Sequence, residues 1–114
     1  MADPLSEAEN ICYQTLAASG KLGDFPNDAE AGMEGRLQDV VSLIAKSKKK
    51  IMVHSPEGQR LSADILRDAI ALQAVIVNQS RDRSIAEVNA ILLKLENSVK
   101  KLEIYWKSFE YVTT

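Results

Sequence analysis

From Ile85 onward the apolar positions fall at alternating intervals of three and four: Ile85, Val88, Leu92, Leu95, Val99, Leu102, Trp106 and Phe109. That spacing marks one face of a helix and is sustained for more than three heptads. Glu96 with Lys100 and Glu103 with Lys107 stand four apart, the arrangement of a helix-supporting ion pair. Traced backward in the same register, the stripe ends: positions 81, 78, 74, 71 and 67 are Arg, Asn, Ala, Ala and Arg. Residues 78–84 are all polar, nearly two turns with nothing to bury, and Ser84-Ile85-Ala86-Glu87 reads as a capping box. A turn is expected there. The rival is a single helix from about 57 to 110, roughly 80 Å long at about 1.5 Å per residue, which would need a partner chain to cover it.

Upstream, Leu61, Ile65, Leu66, Ile70, Leu72, Val75, Ile76 and Val77 spread over more than one stripe, which predicts a third helix in a central, buried position. Ser55 as N-cap with Pro56 at the first helical position gives it a standard opening, and Ser62 offers a second cap. Residues 50–62 also admit a hairpin, with Ser55-Pro56-Glu57-Gly58 as a type I turn. The second helix is expected to start at Asn27 or Asp28 and to carry Met33, Leu37, Val40, Val41, Ile44 and an outlying Ile51. The first is expected to open on the capping box Ser6–Glu9, to bury Ala8, Ile11, Cys12, Thr15 and Leu16, and to stop at Gly20, with residues 21–28 as a loop.

Composition agrees. With 46% apolar and 26% charged residues, 114 residues suit one folded domain spanning 1–114. The last Gly or Pro is Gly58, and 56 residues follow without either breaker. The fold expected is all-α, a small antiparallel bundle of three to four helices with a long C-terminal amphipathic helix.

The net charge of −2 is unevenly spread: residues 1–45 hold eight acids and two bases, residues 46–67 six bases and two acids, and the rest six of each. That balance does not suggest nucleic acid as a partner. Lys46, Lys48, Lys49 and Lys50 have two readings, cations that complement a helix C-terminus at about 0.3–1 kcal/mol each, or an anion contact. Cys12 is the one cysteine, so no intrachain disulfide forms; a reducing, cytoplasmic setting and a core position are expected for it. The N-terminus carries no signal-peptide pattern. The longest apolar run, residues 69–77, is well short of the roughly 20 needed to cross a bilayer, so no membrane association is expected.

Candidate chemistry is sparse. His54 stands alone and reads as a surface turn residue, the acids are scattered, and the glycines follow no phosphate-binding pattern. No catalytic, cofactor or metal site is expected, and an enzyme or ligand-binding bundle would need a polar pocket the sequence does not advertise. The informative feature is the tail. Four of the six aromatics lie within residues 104–112. Trp106 and Phe109 continue the stripe and would close one end of the bundle. Leu93, Ile104, Tyr105 and Tyr111 fall elsewhere on the same helix, so its apolar surface is wider than one neighbour can cover. The residues expected to build an interface are Leu93, Ile104, Tyr105, Trp106, Phe109 and Tyr111. The function expected is a non-enzymatic module that presents an apolar helix face to a protein partner or to a second copy of itself. A small acidic chaperone or adaptor for a secreted or assembling protein is the alternative.

Overall fold

The C-terminal stripe forms the helix it predicts. In a computed structural model of the chain, Ile85–Glu110 is a single helix that buries Val88, Leu92, Leu95, Val99, Leu102 and Trp106 along one side. The backbone is described for residues 3–22, 27–77 and 85–110, with side chains throughout except at 18–22, 27–33, 77, 85 and 110. Within that range the helices are α1 (Pro4–Leu22), α2 (Asn27–Lys48), α3 (Pro56–Val77) and α4 (Ile85–Glu110), and a 3-10 turn spans Ile51–His54. The chain is therefore a small all-α bundle with a long C-terminal helix. The single 80 Å rod is excluded, because α3 and α4 pack side by side. The loop expected at residues 21–28 is shorter than that, because α1 runs to Leu22 and α2 starts at Asn27. Residues 23–26, the expected turn at residues 78–84 with its Ser84 cap, and the core assignments of Met33, Val77 and Ile85 lie outside what is described.

Interhelix bonds fix the directions. Arg36 of α2 reaches Asn89 and Glu96 of α4, and Ser47 near the end of α2 meets Trp106 near the end of α4, so α2 and α4 run parallel. Ser98 of α4 meets Asp68 of α3, and Tyr105 meets Ser55 just before α3, so these two run antiparallel. Glu9 early in α1 pairs with Lys48 at the end of α2 at 3.2 Å, consistent with an antiparallel pair. Consecutive helices thus alternate in direction. The neighbours in space are α1–α2, α1–α3, α3–α4 and α2–α4, leaving α2 and α3 diagonally opposite. The third helix is accordingly a corner of the bundle and does not take the central position its broad apolar surface suggested. Ile70 is half exposed, and Leu66 and Val75 are only partly buried.

The diagonal link shapes one end of the molecule. Residues 49–55 cross from α2 to α3, and the 3-10 turn touches α2, α3 and α4. Val53 points inward and is fully buried, whereas Ile51 is 86% exposed. Ile51 therefore does not extend the α2 stripe: the helix ends at Lys48 and the tighter turn changes the phase. The hairpin alternative is replaced by this turn. Ser55 caps α3 as expected: its Oγ accepts from the Gly58 N–H at 3.1 Å and its carbonyl accepts from the Gln59 N–H at 2.8 Å. Ser62, the second candidate cap, sits inside α3 and donates to the Gly58 carbonyl.

At the other termini the signals shift by a few residues. Asp3, ahead of Pro4, takes the cap position of α1, with its carbonyl accepting from the Glu7 N–H at 3.1 Å. Ser6 lies within the first turn, and Glu9 turns to Lys48 of α2 instead of back to Ser6. Gly20 does not stop α1, which continues to Leu22. A glycine permits the left-handed stop without requiring it.

The core gathers Leu5, Ala8 and Cys12 of α1, Leu37, Val40, Val41 and Ile44 of α2, Leu61, Ile65, Ala69, Leu72 and Ile76 of α3, and the α4 stripe. Full burial of each large aliphatic side chain contributes about 1.5–3 kcal/mol. Among the described residues no buried side-chain nitrogen or oxygen lacks a hydrogen-bond partner. Cys12 is sealed inside, and burial, with a smaller push from Glu9, raises its thiol to about 12 from 9.0. The thiol stays protonated and inert at neutral pH. Because the folded value lies above the unfolded one, the stabilisation is complete below about pH 9 and declines as pH rises from there toward 12. Alkylation of Cys12 by iodoacetamide at pH 8 is expected to follow global unfolding, negligible in buffer and rapid in denaturant. Fast labelling of the native chain would place the thiol at the surface.

Candidate functional site

The tail aromatics divide between core and surface differently from the sequence expectation. Trp106 is buried, and its indole N–H donates to the Oγ of Ser47 at 2.9 Å, itself fully buried on α2. The Nζ atoms of Lys50, Lys46 and Lys107 stand 4.6, 5.8 and 5.9 Å from the ring centroid, within reach of its negative face. Trp106 is therefore a keystone of the bundle end and is withdrawn from the interface set. The lysine cluster is largely committed to the fold in the same way. Lys46 and Lys50 flank the indole, and Lys48 pairs with Glu9. Lys49 alone among the four is exposed with no side-chain partner among the described residues, so the four lysines do not converge on one anion site.

Tyr105 is also tied inward. Its hydroxyl lies 2.7 Å from the Oγ of Ser55, which donates its one proton to the Met52 carbonyl at 2.7 Å. Tyr105 is then the donor, and the N-cap of α3 is clamped to the end of α4. Phe109, expected to close the core, is 37% exposed and rests edge-on against Tyr105, with ring centroids 5.1 Å apart. An ideal-helix register drifts about 20° per heptad against a seven-residue repeat, enough over three heptads to carry Phe109 off the buried line. Tyr111 lies outside the described residues.

Leu93 and Ile104 remain on the surface, 53% and 68% exposed. They are eleven residues apart, three turns, about 16 Å along the axis, and face the same way. Ala86, Ala90, Leu93, Asn97, Lys100 and Ile104 repeat at four and three, a second line on the side of α4 opposite the buried stripe, and all are exposed. The N-terminal half of this line is small and the C-terminal half is apolar and basic.

The charges beside the line are set by what the acids of α4 do. Glu96 is held by Arg36 of α2, which bonds both its carboxylate oxygens and also Asn89, and this contact raises the guanidinium above its usual range. Glu96 is thus drawn away from Lys100, the partner its spacing suggested. Glu103 does pair with Lys107, at 3.3 Å. Among the described residues no acid lies within ion-pair distance of Lys94, Lys100 or Lys101. The outer face of α4 therefore carries two exposed apolar side chains among three uncompensated ammonium groups. Sequence reasoning missed these lysines, and no local signal marks them: their freedom follows from the tertiary contact of Arg36.

Between this face and α3 runs a shallow cleft of about 200 Å³, lined by Asp64, Arg67, Asp68, Lys94, Ser98 and Lys101 among others. Asp68 is buried and accepts from the Ser98 hydroxyl, with Arg67 Nε 3.5 Å away. Asp64 faces Arg67 at 3.5 Å. Ser98 donates to a carboxylate here, and His54 lies outside the cleft in the 3-10 turn, so among the residues lining this cleft no nucleophile stands beside a base. Among the described residues no three His, Cys, Asp or Glu side chains converge as metal ligands, and no helix is long and apolar enough to cross a membrane. Comparison of the chain with family models, curated proteins and solved structures finds no match in any of the three.

Proposed function

We propose that this chain is a non-enzymatic protein-interaction module whose working surface is the outer side of α4. One observation carries the reading: Leu93 and Ile104 lie exposed on one line of a helix whose opposite side is fully packed. A rigid, amphipathic helix presented in this way binds another helix through anchors spaced by whole turns. Tyr105 and Trp106 support the surface from behind by fixing the end of α4 to Ser55 and Ser47. The setting inferred is a reducing, cytoplasmic one, in which a buried free thiol suits Cys12. An adaptor or chaperone duty would use the same surface.

The double variant Leu93→Ser, Ile104→Ser tests the reading. Exposed substitutions away from structural features change stability by less than about 0.5 kcal/mol each, so the melting temperature should hardly move. Association, read as co-purification of a partner or a second copy with tagged chain from the native host, should be lost. Retention of the full association by the double variant would remove α4 from consideration.

A further inference from the structure

We infer that the partner of the outer α4 face is an acidic amphipathic helix from another protein, an identification that rests on the reading above. Lys94, Lys100 and Lys101 ring the line from Leu93 to Ile104, and among the described residues no acid lies within ion-pair distance of them. The described carboxylates of the adjoining turns and cleft have partners of their own: Glu96 with Arg36, Glu103 with Lys107, Asp64 with Arg67, and Asp68 with Ser98 and Arg67. Glu87 lies in the first turn, where it complements the positive end of the helix. A helix laid along this face with apolar residues eleven apart would cover Leu93 and Ile104. Glu or Asp on its flanks would meet the three ammonium groups. Ala86 and Ala90 let its backbone approach closely at the other end.

A second copy fits less well. A two-fold contact sets the same patch against itself, so Lys94, Lys100 and Lys101 would face their own equivalents. Nucleic acid fits the charge and leaves the apolar centre line unexplained, since Leu93 and Ile104 have no counterpart in a phosphate backbone and the face carries neither Arg nor an aromatic side chain.

The test uses the full chain and synthetic helical peptides of 21 residues, with Leu at the contact positions and Glu, Gln or Lys on the flanks. Binding is read by fluorescence anisotropy. The Glu peptide is expected to bind about tenfold more tightly than the Gln peptide at low salt, with the Lys peptide weaker still. The gap should close at 0.5 M salt, where charges are screened beyond about 4 Å. The triple variant Lys94→Glu, Lys100→Glu, Lys101→Glu changes only exposed side chains and should invert the order. Equal affinity for all three peptides, lost in Leu93→Ser, Ile104→Ser, overturns the acidic partner and leaves the α4 surface standing. No binding of any peptide, together with unchanged native association of the double variant, overturns both. A dimer of the chain that the Glu peptide does not compete, or tighter binding of a 20-base-pair DNA duplex than of the Glu peptide, also overturns the inference.

Discussion

Trp106→Ala should lower the stability of the chain by about 3–5 kcal/mol, the usual cost of emptying a buried aromatic site. The indole fills the bundle end where α2, the 3-10 turn and α4 meet, and its loss also strips Ser47 of its partner. Ser47 is fully buried, so its hydroxyl is left without compensation, a penalty of about 1–3 kcal/mol when water cannot reach it. Domains of this size are stable by about 5–15 kcal/mol, so the variant should be close to unfolding at 37 °C. Urea denaturation followed by far-UV circular dichroism gives the number. Trp106→Phe should cost less, since it keeps much of the volume, although it too removes the donor to Ser47. A Trp106→Ala chain within 1 kcal/mol of the parent would mean that the end is closed by other residues.

Gly58→Ala should destabilise by about 2–3 kcal/mol, against the ordinary trend. In a helix interior, Gly→Ala normally stabilises by about 0.5–1 kcal/mol, because alanine loses less backbone entropy on folding. Here a Cβ at position 58 would lie 2.5 Å from the carbonyl oxygens of both Met52 and Val53. Neither is a side chain that can swing aside. To make room, the 3-10 turn would have to lift away from α3, exposing Val53 and disturbing the Ser55 cap. Gly35 is the internal control: it lies in α2 with nothing within 4 Å of its would-be Cβ. Gly35→Ala should stabilise by about 0.5–1 kcal/mol. Opposite signs for the two substitutions in one thermal or chemical denaturation series would establish the close approach. Equal signs would mean that the turn yields at little cost.

Much of the architecture is legible in the residues because it depends on periodicity. The α4 stripe from Val88 to Trp106, the α2 stripe from Leu37 to Ile44 and the Ser55-Pro56 opening of α3 are local patterns, and each appears where it is read. What fails depends on contacts between segments far apart in sequence. Ile51 continues the spacing of α2 on paper, yet a 3-10 turn intervenes and turns it outward. Glu96 stands four residues from Lys100, and Arg36, sixty positions away, takes it instead. Tyr105 reads as a surface residue from its angle on the helix. Its hydroxyl finds Ser55 only because the diagonal link brings the α3 cap beneath it. Of the candidate surface, Leu93 and Ile104 follow from helix geometry alone. The charge that gives the surface its character emerges only when α2 is in place.

The most direct test of the α4 surface is site-specific photo-cross-linking in the native host. A photoreactive residue is placed in turn at positions 93 and 104 and, as controls, at exposed positions 38 on α2 and 63 on α3. Discrete cross-linked species from 93 and 104, with none from 38 and 63, is the predicted result. Silence at 93 and 104, or the same products from all four positions, would contradict the account.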